Sequence, residues 1–223
     1  MSLFKPHALP GTLICVEGID GSGKSTQLGI LRDWLKSKNL DVIFTEWNSS
    51  DLISQTTKKA KKKNLLSPRT FSLLHAVDFA DRLEQIIIPA MKAGFIVLAD
   101  RYVYTAFARD VARGVDRDWV RNMYGFAVKP DLALYYSIPA EVSLERICAN
   151  RAPSFYEAGM DLKLSNNPYK SYVIFQSRVN EEYADMVNEF GLVRIDANNT
   201  IHSKQVLLRQ YVTELLSKKG IQI

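Results

Sequence analysis

The nine residues Gly18-Ile19-Asp20-Gly21-Ser22-Gly23-Lys24-Ser25-Thr26 leave this chain few ways to fold. They match the phosphate-binding pattern G-x-x-x-x-G-K-[ST], whose context is a strand before and a helix after. Both flanks are present. Leu13-Ile14-Cys15-Val16 reads as a buried strand, and Lys24 to about Lys38 carries a helical pattern with Leu28, Leu31 and Leu35 as its apolar stripe. Glycines let the backbone wrap a polyphosphate closely, because no Cβ blocks positive φ. The loop amides then form an anion nest at a helix N-terminus. Lys24 can reach the β- and γ-phosphates, and the Ser25 hydroxyl can meet Mg²⁺.

The rest of the chain repeats the strand–helix alternation. Further strands are expected at Val42 to Thr45, Phe95 to Ala99, Leu132 to Tyr136 and Leu192 to Ile195. They are short and apolar without alternation, as strands covered on both faces are. Helices are expected at about Pro68 to Lys92, Val103 to Tyr124, Pro139 to Arg151, Asn167 to Glu189 and Ser203 to Lys218. This order predicts an α/β fold, a three-layer arrangement with a five-stranded parallel sheet between helices on both faces. Ligands in such sheets bind beyond the carboxyl ends of the strands. At 223 residues and 47% hydrophobic content, one domain spanning 1–223 is the expectation.

Composition excludes more than it selects. The net charge of +5 suits a protein that handles anionic phosphates. Cys15 and Cys148 share no metal-ligand spacing and read as small buried hydrophobes, which fits a reducing compartment. Met1 to Pro10 lacks the apolar stretch of a signal peptide. No apolar run approaches the ~18 residues of a membrane span. A soluble cytoplasmic protein with no membrane partner is expected.

Several side chains carry candidate chemistry. Asp100 ends a buried strand and is placed to hold Mg²⁺, and Arg101 beside it offers a bidentate fork to a phosphate. Asp20, inside the phosphate loop, would repel phosphate unless aimed at an acceptor; an Asx turn is its structural alternative. Arg82 is either a ligand for a base edge or phosphate, or the i,i+4 partner of Asp78. Arg146 and Arg151 stand at the entrance to a loop, about Ala152 to Asn167, expected to be a mobile lid. Arginines there can neutralise a transferred phosphoryl group. His75 and His202 read as structural histidines. The run Lys58 to Lys63 reads as a solvated helix face, with an acidic-substrate or nucleic-acid contact as the lesser reading.

Taken together, these residues resemble the thymidylate kinase family of nucleoside-monophosphate kinases, from about Gly11 to Ser217. Val16 to Thr26 is similar to that family's phosphate loop, including the acidic third position at Asp20. Asp100-Arg101-Tyr102 resembles its D-R-Y/H motif, with Thr105 at a small hydroxyl position. Arg113-Gly114-Val115-Asp116 is similar to its R-G-x-D, Lys129 to Tyr135 to its R-P-D-L-x-x-Y-L strand, and Ile195-Asp196-Ala197 to its late I-D-A near the donor adenine. The resemblance implies a P-loop kinase that uses ATP and Mg²⁺, takes dTMP as acceptor, and forms homodimers. It implies that Asp20 holds the sugar 3′-hydroxyl, Arg101 the acceptor phosphate and Asp100 the Mg²⁺. Gly21 stands where some relatives carry an arginine, which shifts the catalytic arginine to the lid at Arg151, with Arg146 nearby.

Three departures fall on the acceptor side. The family's T-R-E-P becomes Thr45-Glu46-Trp47-Asn48, without the arginine. Asp78 stands where an aromatic stacks on thymine, with Phe79 one place later. The family's A-Y becomes Ala108-Arg109-Asp110. Trp47, Phe79, Arg109 and Asp110 are therefore candidates to rebuild a base site. A kinase for another nucleotide or nucleoside remains an alternative, as does a nucleotide-dependent binding switch using the lysine run.

Overall fold

A computed structural model describes residues 3–4, 6–64 and 66–223. The reading of Met1 to Pro10 thus falls partly outside the described residues, at 1, 2 and 5. The apolar runs become the strands β1 (Thr12–Glu17), β2 (Val42–Glu46), β3 (Ile96–Asp100), β4 (Leu132–Ser137) and β5 (Val193–Asp196). All pairings are parallel, in the order β2-β3-β1-β4-β5. The two central strands flanking the switch point, β1 and β3, are buried at every residue, whereas the edge strands β2 and β5 are only partly so. Each fully buried Leu, Ile or Val is worth roughly 1.5–3 kcal/mol over its exposed state. Val16 pairs with Asp100, so the loop after β1 and Arg101 after β3 emerge side by side.

Helices surround the sheet. α1 (Lys24–Ser37) buries Leu28, Leu31 and Leu35 as the pattern predicts. Its N-cap is Gly23 at φ 84°, with no side-chain cap, so the first-turn amides remain open to an anion. α2 (Ser54–Lys62) is an element the apolar patterning missed, because only Thr57 is buried along it. The expected helix Pro68 to Lys92 is α3 (Pro68–Arg82), a π-helical turn (Leu83–Ile87) and α4 (Ile88–Lys92). Pro89 explains the widening: it has no N–H for the Gln85 carbonyl and its ring crowds the preceding turn. The expected helix Val103 to Tyr124 breaks into α5 (Val103–Arg109) and α6 (Arg117–Met123) around Gly114 at φ 85°. α7 (Ala140–Cys148), α8 (Pro168–Phe190) and α9 (Ile201–Lys218) complete the chain. Asn167 and Thr200 cap α8 and α9 through their side chains.

Two further expectations change. Cys148 is exposed and Cys15 buried, both as free thiols. Residues 152–167 are docked rather than loose. Tyr156 packs its ring against Phe71 at 5.0 Å, and Arg113 donates to the Tyr156 carbonyl at 2.7 Å. Gln176 donates to the Glu157 carbonyl at 2.7 Å. Among the described residues no helix is long and apolar enough to cross a membrane.

Candidate active site

Sheet geometry delivers the phosphate loop and the Asp100-Arg101 pair to one crevice, beyond the carboxyl ends of β1 and β3. Gly18, Gly21 and Gly23 all have positive φ. At Gly21 a Cβ would also lie 2.8 Å from the Ser143 carbonyl oxygen. No arginine fits at that position. The loop is braced from α7 and α8: the Ser143 hydroxyl and, at 3.3 Å, the Tyr172 hydroxyl donate to the Asp20 carbonyl.

Lys24 is buried and its ammonium donates to the Ile19 carbonyl at 3.4 Å. Burial, together with the nearby Arg101 charge, lowers its pKa to about 8 against the opposing pull of Asp100 and Asp20. Ser25 donates its hydroxyl to Asp100 Oδ2, while Asp100 Oδ1 is buried without a partner. One hydroxyl and one carboxylate with a spare oxygen form a donor set suited to a hard divalent cation. Ser22 Oγ is a second buried atom without a partner in the loop. Thr26, next along, is exposed on α1.

Arg101 adopts φ 74°, the left-handed region that a β-substituted residue occupies at a cost of about 1–3 kcal/mol. Its amide donates to the Val16 carbonyl at 3.0 Å, which ties β3 to the start of the loop. The guanidinium donates to the Gly18 carbonyl at 2.8 Å, to Thr105 Oγ1 at 3.3 Å and to Asp20 Oδ1 at 2.6 Å. Arg109 holds the other Asp20 oxygen. Burial would push the Asp20 carboxyl up, but Arg109 and Arg101 overcome it and hold it well below the usual range. The result is a carboxylate that positions two guanidiniums over the loop.

Glu17 was not picked out from the sequence. It is fully buried and accepts from the Tyr102 amide at 2.6 Å, Thr105 Oγ1 at 2.6 Å and the Tyr183 hydroxyl at 2.9 Å. Burial raises its pKa to about 7, against the lowering effect of these bonds and of Arg101. A carboxylate closing an apolar run, one residue before the first loop glycine, was the available signal.

Beside these charges opens a cavity of about 790 Å³. Trp47, Phe71, His75 and Tyr156 supply its aromatic wall. Lys58, Lys59, Lys61 and Lys62 of α2 also line it. The lysine run is therefore not simply a solvated face. Lys61 sits 5.0 Å over the Phe71 ring, and burial with the neighbouring Arg109 and Arg113 lowers its pKa to about 8. Among the sequence candidates Asp20, Trp47, Arg101, Thr105 and Arg109 line the same cavity.

Phe79 and Arg82 do not. Phe79 is fully buried among Tyr102, Tyr124 and Phe126. Arg82 is fully buried behind Trp47, its guanidinium 5.8 Å from that ring. It donates to Thr45 Oγ1 at 3.0 Å and faces Asp78 at 3.5 Å, the ion-pair alternative at i,i+4. Both therefore lie behind the cavity wall rather than in it. Asp78 is not a vacant stacking position either. It accepts from the Asn48 amide at 3.0 Å and the Ser50 amide at 2.9 Å, folding the loop after β2 so that Trp47 enters the cavity wall. Asp110 lies behind the wall, accepting from Ser72 Oγ at 2.7 Å and contacting His75 Nδ1 at 3.2 Å.

The lid arginines diverge. Arg151 forms a bidentate pair with Glu157 at 2.7 and 2.8 Å. Arg146 instead turns to the loop after β5 and donates to the Ala197 carbonyl at 3.1 Å, as does Lys204, also at 3.1 Å. Lys204 was missed because it lies on α9, far from the loop in sequence. His202 is exposed at the start of α9.

The family model described as Thymidylate kinase matches residues 16–206. The chain is 46% identical over 208 residues to "Probable thymidylate kinase 2" of Saccharolobus solfataricus, covering 92% of this chain and 97% of that protein. It is 32% identical over 191 residues to "Probable thymidylate kinase" of Thermococcus onnurineus, covering 82% and 87%. With "Thymidylate kinase" of Desulfotalea psychrophila it shares 37% identity over 143 residues, covering 64% and 71%.

Proposed function

The chain belongs to the thymidylate kinase family, and from that premise we propose that it transfers the γ-phosphoryl group of ATP to dTMP, giving dTDP and ADP. One observation carries this reading. The Lys24–Ser25–Asp100 constellation adjoins the Arg101–Asp20–Arg109 cluster, which opens into an aromatic-walled cavity.

The roles follow from charge and position. Loop amides and Lys24 hold the donor phosphates. Ser25 and Asp100 would hold Mg²⁺, which neutralises charge on the phosphate oxygens. Arg101 and Arg109 grip the acceptor phosphate, and Asp20 holds both guanidiniums in place for it. Phosphoryl transfer depends on such positioning and neutralisation more than on a strong base. Arg151 is the arginine assigned to the transferred group, held at the lid by Glu157. Arg146 and Lys204 shape the donor's base end. The docked segment 152–167 acts as the lid and keeps water from the reacting phosphate. We further propose one kinase domain, acting in the cytoplasm as a homodimer. Exposed Leu73 and Val77, one turn apart on α3, support an apolar pairing face.

The test is ADP release from Mg-ATP with dTMP, dUMP, UMP, dCMP, CMP, dGMP, AMP and the matching nucleosides. Stimulation chiefly by dTMP is expected. Stimulation chiefly by a purine nucleotide or a nucleoside would overturn the acceptor assignment, and none by any acceptor would overturn the kinase reading.

A further inference from the structure

We propose that His75 reads the imide edge of the acceptor base, accepting a hydrogen bond from N3–H at Nε2; this rests on the dTMP kinase reading above. His75 is buried, yet it lines the acceptor cavity. Its Nδ1 lies 3.2 Å from Asp110 Oδ1, and Asp110 also accepts from Ser72. A carboxylate only accepts, so Nδ1 carries the proton and Nε2 presents a lone pair. Nε2 has no hydrogen bond among the described residues. The ring is held between Phe71, at 4.3 Å between centroids, and Trp47, at 5.4 Å. Burial lowers the imidazole's proton affinity, and nearby Lys61 and Arg113 lower it further while Asp110 opposes them. The ring therefore stays neutral at neutral pH and Nε2 stays an acceptor.

Elimination points the same way. Among the other buried polar side chains on this wall, Arg113, Thr105 and Arg101 are already engaged, while the Tyr156 hydroxyl is buried without a partner. Arg113 donates to Asp161, to the Arg109 carbonyl and to the Tyr156 carbonyl. Thr105 is bonded to Glu17, Arg101 and Tyr183, and Arg101 to Gly18 and Asp20. Trp47 Nε1, a donor only, is buried without a partner at the same wall. A free acceptor on this wall matches the N3–H of thymine or uracil. Cytosine presents the reverse, a bare N3 beside an amino group. A site built to bond a substrate hydrogen rejects an analogue without it strongly, because its own buried group is left unpaired.

The experiment compares kcat/KM for dTMP, dUMP, dCMP and N3-methyl-dTMP in the wild type, His75→Ala and His75→Gln. The wild type should prefer dTMP over dCMP and N3-methyl-dTMP by at least about a hundredfold. A folded His75→Ala should narrow both ratios to under about tenfold, mainly through the acceptor KM, with the KM for ATP unchanged. His75→Gln, which keeps an acceptor, should restore part of the preference. Equal wild-type use of dTMP and N3-methyl-dTMP overturns the assignment without any variant. Undiminished preference in His75→Ala also overturns it, leaving the kinase reading intact. A wild type that phosphorylates neither dTMP nor dUMP overturns that reading and this one together.

Discussion

The donor and acceptor sides of the crevice are built in opposite ways. On the donor side, nine consecutive residues make the cradle, mostly with backbone amides and positive-φ glycines. On the acceptor side, the wall comes from the loop after β2, from α2, α3 and α5, and from the lid. Its aromatic members are set by bonds between residues about thirty apart, such as Asp78 to the amides of Asn48 and Ser50. A cradle of backbone tolerates little change in sequence. A wall of side chains can be rebuilt, and here Trp47, Phe71 and His75 stand in the cavity while Phe79 and Arg82 are sealed beneath it.

The comparison breaks most readily at Asp78. Replacing it with Phe should destabilise the fold by about 3–5 kcal/mol, because Arg82 loses its buried counter-charge and two loop amides lose their acceptor. Urea unfolding measures this; an unchanged midpoint with tighter dTMP binding would restore Asp78 as a vacant stacking position. Lys24→Ala and Arg101→Ala should each cut turnover by about a hundredfold or more, roughly 3 kcal/mol of barrier. Lys24→Ala should do so with acceptor affinity retained, since it removes a donor-side charge only. Steady-state rates near wild type for either folded variant would remove the residue from the mechanism.

Glu17 sharpens the comparison through pH. Its folded pKa of about 7 lies above the ordinary 4.5, so the folded state binds the proton more readily than the unfolded chain. Its stabilising contribution is present below that ordinary value and lost as pH rises through 7, a change of about 3 kcal/mol. Glu17→Gln should flatten the pH dependence of the urea midpoint between about pH 5 and 8; an unaltered slope would show that Glu17 titrates normally. The smallest effect belongs to Lys61. With a pKa near 8, it should lose its charge at the cavity wall above that pH. The acceptor KM should then rise severalfold across about pH 7 to 9, and Lys61→Met should abolish that rise.

What the sequence disclosed follows the same division. The five strands, the phosphate loop and the Asp100-Arg101 pair were legible because each is specified by neighbouring residues and by burial on both strand faces. The break at Gly114 and the π turn before Pro89 were missed within long helical patterns, since one glycine or proline weighs little in a periodicity. The lysine run offered a substrate contact only as the lesser reading, because charge spacing on a helix does not say what the charged face meets. His75 looked isolated for a similar reason: its partner Asp110 is 35 positions away and on another helix.

A crystal structure of the protein with dTMP would test the rebuilt acceptor site most directly. The account predicts the thymine ring against the wall of Trp47, Phe71 and His75, with the phosphate at Arg101 and Arg109. A thymine ring lodged instead against Phe79 and Arg82, with Trp47 displaced, would contradict it.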